Sequence, residues 1–249
     1  MNERAVSEAI GFILILGIVI SGIGLVTLYG YPVLVKEQSN TDVKNMERAM
    51  IVIQNDMKSL CFKNVPYKET ALQVSGGTLA VIGADPSAPT FSISIPGYDP
   101  LDFSPGALVY RSDRGTEVIT LENGAVMTRQ EDATGSAMLA EPRWFYDRPT
   151  KTLVIYLMKI TADERMAKSG MTTMRMSLES TEPRPYTPTG DIQVEYIPGA
   201  GNNLATAWGN YLTTLEMDEI GLNKYTWTIA ERPIDKLVVK EYKIKIHGI

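Results

Sequence analysis

From Ala9 to Val35 the chain reads AIGFILILGIVISGIGLVTLYGYPVLV, without one charged side chain. A helix rises about 1.5 Å per residue, so roughly 20 apolar residues cross a ~30 Å hydrocarbon core. The stretch is long enough even for a helix that stops near Gly30 or Pro32. Glu8 bounds it on one side and Lys36-Glu37 on the other, and Ser21 and Thr27 are its only small polar residues. A wholly buried core helix is the alternative, but one this long normally carries a polar face. The stretch therefore reads as a transmembrane helix, and everything after Lys36 as a body on an anchor.

Ahead of the run stand Met1, Asn2, Glu3 and Arg4. A secretory signal peptide has a shorter apolar core and a small-residue cleavage site. Gly30-Tyr31-Pro32-Val33 offers no such site, so the segment is expected to stay on the protein. Arg4 and the amino terminus favour a cytoplasmic N-terminus, against which Glu3, Glu8 and Lys36 work. The expectation is a single-pass protein of the cell membrane, with its C-terminal domain outside.

The segment Arg4-Ala5-Val6-Ser7-Glu8-Ala9-Ile10-Gly11 and the unbroken helix after it resemble the N-terminus of archaeal type IV pilin-like proteins. The resemblance implies a prepilin peptidase that cuts between Arg4 and Ala5, on the cytoplasmic side. It implies that the helix is retained, to pack with other pilin-like subunits. Glu8 would match the acidic residue that pairs with a neighbour's amino terminus. The leader is shorter and less basic than is usual there, and Glu8-Ala9 stands where many relatives have Pro-Val. The layout of the whole chain also resembles uncharacterised archaeal pilin-like membrane proteins of similar length. Independently of the resemblance, Gly17 and Ser21 form a small-x-x-x-small pair of the kind that lets helices approach closely in lipid. With Glu8 and Gly11 they are the candidate assembly residues.

Gly30-Tyr31-Pro32 predicts an interruption or kink, because Pro32 has no amide hydrogen and its ring crowds the preceding turn. The polar stretch from Lys36 to Thr41 then reads as a hinge or ledge. A second helix follows over about Asp42–Phe62, capped by Asn40 or Thr41. Val43, Met46, Met50, Ile53, Met57 and Leu60 recur at three- and four-residue spacing, which puts them on one stripe. That stripe is expected to pack on a β-sheet, with a coiled-coil seam as the alternative.

From Ala71 the period becomes two. Ala71–Val74 and Thr78–Ile82 flank Ser75-Gly76-Gly77 as a hairpin, and Glu122-Asn123-Gly124 turns a second one. Pro86, Pro89, Pro96 and Pro100 mark a loop-rich region around one strand, Phe91–Ile95. Further strands are expected at Ala107–Arg111, Trp144–Tyr146, Leu153–Ile160, Thr172–Leu178, Ile192–Ile197, Tyr225–Ile229 and Leu237–Ile246. Ala162–Gly170 reads as a polar patch, and Pro183, Pro185 and Pro188 as an extended linker. Leu204, Trp208, Tyr211, Leu212 and Leu215 share a face of one short helix. The fold expected is α+β: leader and transmembrane helix over 1–36, amphipathic helix over 37–66, and a mainly antiparallel β-rich extracytoplasmic domain over 67–249.

Chemistry is sparse. The net charge of −5 argues against nucleic acid as a partner. Cys61 is the only cysteine, so no disulfide forms within the chain, and its place between apolar positions reads as buried. The single histidine, His247, is a poor base for a triad near a chain end. Asp163-Glu164, Glu131-Asp132 and Asp218-Glu219 read as solvated turns, and Asp99 with Asp102 as a weak calcium motif. Met158, Met166, Met171, Met174 and Met176 read as core rather than copper ligands. The expectation is a non-enzyme without cofactor or metal. It is a minor-pilin or pseudopilin-type subunit; the alternative is a stand-alone signal-anchored binding module.

Overall fold

The computed structural model describes residues 3–63, 65–84, 88–199 and 201–249, with side chains from Ile10 onward in the first helix. The chain divides into two compact units, Met1–Asp42 and Val43–Ile249.

Helix α1 (Glu3–Leu25) runs through a π-helical turn, Val26–Gly30, into α2 (Tyr31–Phe62). The π-turn is the answer to Pro32. With no amide at Pro32 the α ladder cannot continue there, and one extra residue is accommodated just before it, Tyr31 N–H donating to the Val26 carbonyl. The expected hinge at Lys36–Thr41 is instead helix, because nothing in it breaks one. Gln38, Ser39, Asn40 and Thr41 are polar but include no Gly or Pro. Thr41 caps no helix start; its hydroxyl donates to the Glu37 carbonyl one turn back, at 2.9 Å.

The second unit is β-rich. Its strands are β1 (Tyr67–Ile82), β2 (Thr90–Ser94), β3 (Leu101–Phe103), β4 (Ala107–Ser112), β5 (Glu117–Glu122), β6 (Ala125–Gln130) and β7 (Ser136–Ala140). They continue with β8 (Trp144–Asp147), β9 (Thr152–Ala162), β10 (Met166–Tyr186), β11 (Ile192–Ile197), β12 (Asp218–Gly221), β13 (Lys224–Trp227) and β14 (Lys236–Gly248). Helix α3 (Ala205–Thr214) precedes β12. One nine-stranded sheet has the order β7-β6-β5-β4-β1-β10-β14-β9-β8, and a five-stranded sheet the order β12-β13-β11-β2-β3. All pairs are antiparallel except β9 with β14.

Three expectations fail here for identifiable reasons. Ser75-Gly76-Gly77 is not a hairpin; β1 runs through it as one strand with an irregularity between Val74 and Leu79, both halves paired to β10. Gly76 supplies the positive φ of 60°. At Gly77 a Cβ would collide with the Arg111 carbonyl. Pro183 and Pro185 are strand, opposite Lys240 and Val238 of β14. β1 reaches only to Ser177, so beyond it β10 has one open edge, where two prolines spaced by two residues are tolerated. The polar patch ends early, since β10 starts at Met166. Pro86 lies outside the described residues.

In a flat nine-stranded sheet the edges would stand roughly 38 Å apart, at ~4.8 Å per strand. Here β7 and β8, the two edges, are joined by Glu141-Pro142-Arg143 alone, which reaches at most about 14 Å. The sheet therefore curls until its edges approach at that corner. The open side of β9 is met there as well: Met158 N–H donates to Asn123 Oδ1 (2.9 Å) and Ile160 N–H to the Pro105 carbonyl (2.6 Å).

Each face of the curled sheet has its own core. Strand β14 gives Leu237 and Val239 to one and Tyr242, Ile244 and Ile246 to the other, as the two-residue period requires. The first core holds the five-stranded sheet and α3, and is rich in aromatics, with Phe91 and Trp208 edge-to-face at 4.7 Å. The second holds the stripe of α2. Val43, Met46, Met50, Ile53, Met57 and Leu60 are all buried there, with residues of β1, β4, β5, β6, β9, β10 and β14. A sheet that brings seven strands to one helix has wrapped it, and leaves the stripe no coiled-coil partner to seek.

Candidate functional site

The first unit offers an apolar surface rather than a cleft. No described side chain from Ile10 to Asp42 is buried, and Phe12, Leu14, Ile18, Val26 and Leu34 are each more than 60% exposed. Soluble monomers rarely expose apolar patches beyond a few hundred Å². The helix is long and apolar enough to cross a membrane. Its polar interruption is satisfied internally, Thr27 Oγ1 donating to the Ile23 carbonyl at 2.9 Å. Gly17 and Ser21 line one shallow apolar groove with Ile13, Leu14, Ile18, Gly22 and Leu25, and a Cβ on Gly17 would meet nothing. Gly11 lies outside that groove, with nothing within 4 Å of an added Cβ. The side chains of Arg4, Ala5 and Glu8 are outside the described residues.

In the second unit one polar residue stands among the buried side chains of α2. Gln54, 2% exposed, donates through Nε2 to the Gly124 carbonyl (2.7 Å) and the Glu141 carbonyl (3.0 Å). One amide thus ties the β5–β6 turn to the β7–β8 connector. That turn is type I′-like, with Asn123 at φ 48° and Gly124 at φ 73°.

The same turn positions Glu122, wholly buried on the opposite face. Its Oε1 accepts the Trp208 indole N–H at 3.0 Å, and the Tyr196 hydroxyl faces the same carboxyl. Burial pushes its pKa up to about 7, against which the hydrogen bond from Trp208 pulls down. Nothing in the sequence marked this residue, because Glu before Asn-Gly reads as a solvated hairpin shoulder.

A cleft of about 660 Å³ opens beside the β7–β8 connector, lined by Lys58, Phe62, Met138, Leu139, Glu141, Arg143 and Phe145 among others. The Arg143 guanidinium lies 4.6 Å from the ring centre of Phe62 and 5.4 Å from that of Tyr156. Lys58 Nζ donates to the Glu141 carbonyl at 3.0 Å.

The chain belongs to a family of unknown function, DUF7289. The family model covers residues 4–226, which takes in both long helices and every strand through β12. No curated protein matches the chain, and no solved structure does.

The remaining chemical candidates of this family member disperse. Among the described residues no three His, Cys, Asp or Glu side chains gather to hold a metal ion. Asp163 pairs with Lys245 (2.8 Å), Glu131 with Arg111 (2.8 Å), and Asp102 accepts the Ser92 hydroxyl (2.6 Å). His247 is exposed on β14, 2.7 Å from Ser177 Oγ. Met158, Met174 and Met176 are buried in the core around α2, while Met171 is exposed. Cys61 is buried, its thiol pushed up to about 12 by desolvation.

Proposed function

We propose that this protein is a membrane-anchored, pilin-like surface subunit, its N-terminus cytoplasmic and its β-rich domain outside the cell. The observation that carries the reading is one helix line with two kinds of surface. Up to Asp42 no described side chain is covered; from Val43 a stripe is buried under a β-sheet. The uncovered part suits lipid and neighbouring helices, with Gly17 and Ser21 where close approach is easiest. The role is that of a minor-pilin or pseudopilin-type subunit. Prepilin peptidase cuts at Arg4–Ala5, and Glu8 then answers a neighbour's terminal amino group. The resemblance of residues 4–11 to archaeal type IV pilin-like proteins supports this step.

A second reading, a lone anchored binding module, is favoured by the cationic, aromatic cleft at Arg143. N-terminal sequencing and intact mass, on membranes and on sheared surface material, separate the two. A chain beginning at Ala5 and present in the sheared fraction supports the subunit. A chain that keeps Met1 or Asn2 and stays in the membrane overturns it and leaves the module.

A further inference from the structure

Lys58, near the end of α2, and Arg143, in the β7–β8 connector, converge on the cleft beside the closing corner of the sheet. The Arg143 guanidinium sits against the Phe62 and Tyr156 rings, which are tilted 55° to each other, so aromatic faces rather than a carboxylate hold it in place. No ion pair among the described residues uses Arg143 or Lys58. Desolvation and the nearby Arg143 charge lower the pKa of Lys58, which places the two cations within electrostatic reach of each other. The surrounding protein carries a net charge of −5, so this is a local reversal of sign. Phe145, 37% exposed, adds an aromatic face at the rim, and the exposed Glu141 a carboxylate.

We propose that this cleft binds an acidic sugar, the hexuronate unit of a glycan. Three parts of that ligand have a counterpart here. The carboxylate takes the planar fork of Arg143, reinforced by the Lys58 ammonium. The C–H face of the pyranose ring packs on Phe145 and the edge of Phe62, as apolar surface does on aromatic rings. Ring hydroxyls donate to the Glu141 carboxylate, a partner that an all-anionic ligand would avoid. The open shape of the cleft suits a unit within a longer chain rather than an enclosed small molecule. An acidic peptide would find the cations but offers no pyranose C–H face to the exposed ring of Phe145. The proposal holds whether or not the apolar helix assembles into filaments.

The test is calorimetric titration of the full chain in detergent at physiological ionic strength. The probes are trigalacturonate, the neutral trisaccharide galactotriose, and tetraglutamate. Saturable binding of trigalacturonate alone is expected, weakened about tenfold or more by Arg143→Ala. Arg143→Lys should weaken it several-fold, because it keeps the charge but loses the fork. Lys58→Met should weaken it too, and an unchanged melting temperature in each variant shows that the fold is intact. Absence of saturable binding overturns the proposal, as does unaltered affinity in Arg143→Ala. Tetraglutamate binding as tightly as the sugar also overturns it, leaving a charge effect alone.

Discussion

Gln54 Nε2 lies 3.0 Å from the carbonyl oxygen of Glu141, eighty-seven residues further along the chain. The bond spans from the enclosed face of α2 to the one stretch of chain that joins the two edges of the large sheet. The same nitrogen serves Gly124, so a single side chain satisfies two carbonyls at the corner where the sheet closes. A buried carbonyl left without a partner costs about 1–3 kcal/mol. Gln54→Leu, of similar volume, leaves the Gly124 carbonyl without that donor while the Glu141 carbonyl keeps Lys58 Nζ, and should therefore destabilise the protein by about 1–3 kcal/mol, read as an earlier denaturant midpoint for the full chain in detergent. A midpoint within error of the parent would show that the corner is held by packing alone.

Glu122 gives the protein a pH dependence of definite sign. Its carboxyl titrates near 7 in the folded state against an ordinary 4.5, so the folded protein holds a proton that the unfolded chain gives up. Stability contributed by this group is complete below about pH 4.5 and is lost as pH rises through about 7. The loss is on the order of 3 kcal/mol. Glu122→Gln keeps an acceptor for Trp208 and removes the charge. Its melting temperature should stay nearly level between pH 5 and 8, where the parent's falls.

Cys61 should be silent in the native protein. With a thiol pKa near 12, only about one molecule in ten thousand carries the thiolate at pH 8. Burial denies reagents the sulfur as well. Iodoacetamide should label it on the timescale of unfolding, and rapid labelling of folded protein would contradict its place in the core.

The exposed helix makes a prediction about fractionation. Replacing Ile18 and Val19 by Lys puts two charges mid-helix, each costing about 2.5–3.5 kcal/mol in a membrane. The double variant should leave the membrane pellet under alkaline carbonate, where the parent remains.

What could be read from the sequence was whatever rests on neighbours along the chain. The stripe of α2, the Asn123-Gly124 turn and the helix around Trp208 depend on residues within a few positions of each other. What could not be read depends on distant partners. The Gly76-Gly77 bulge looks like a turn until β10 is known to run past both of its halves. Pro183 and Pro185 look like linker until β14 is seen beside them. Arg129, near the end of β6, is 7% exposed and bonded to Asn202 and the Gly201 carbonyl, more than seventy residues away, which no local pattern shows. Gln54 and Glu122 were missed for the same reason: a polar residue on an apolar face announces a partner without naming it. The short strands β3, β7 and β12 carry too few residues for a period to show.

Strand β14 lies between β10 and β9, in the interior of the nine-stranded sheet, and is made after every other strand. Until it leaves the ribosome, β9 and β8 have no strand ladder to the remaining strands of that sheet, and each core lacks the residues β14 gives it. The apolar helix is made before any of the strands. Synthesis thus imposes a sequence of events: the hydrophobic segment meets its surroundings while the rest of the chain is still unfolded. The large sheet of the β-rich unit is complete only when β14 has been made.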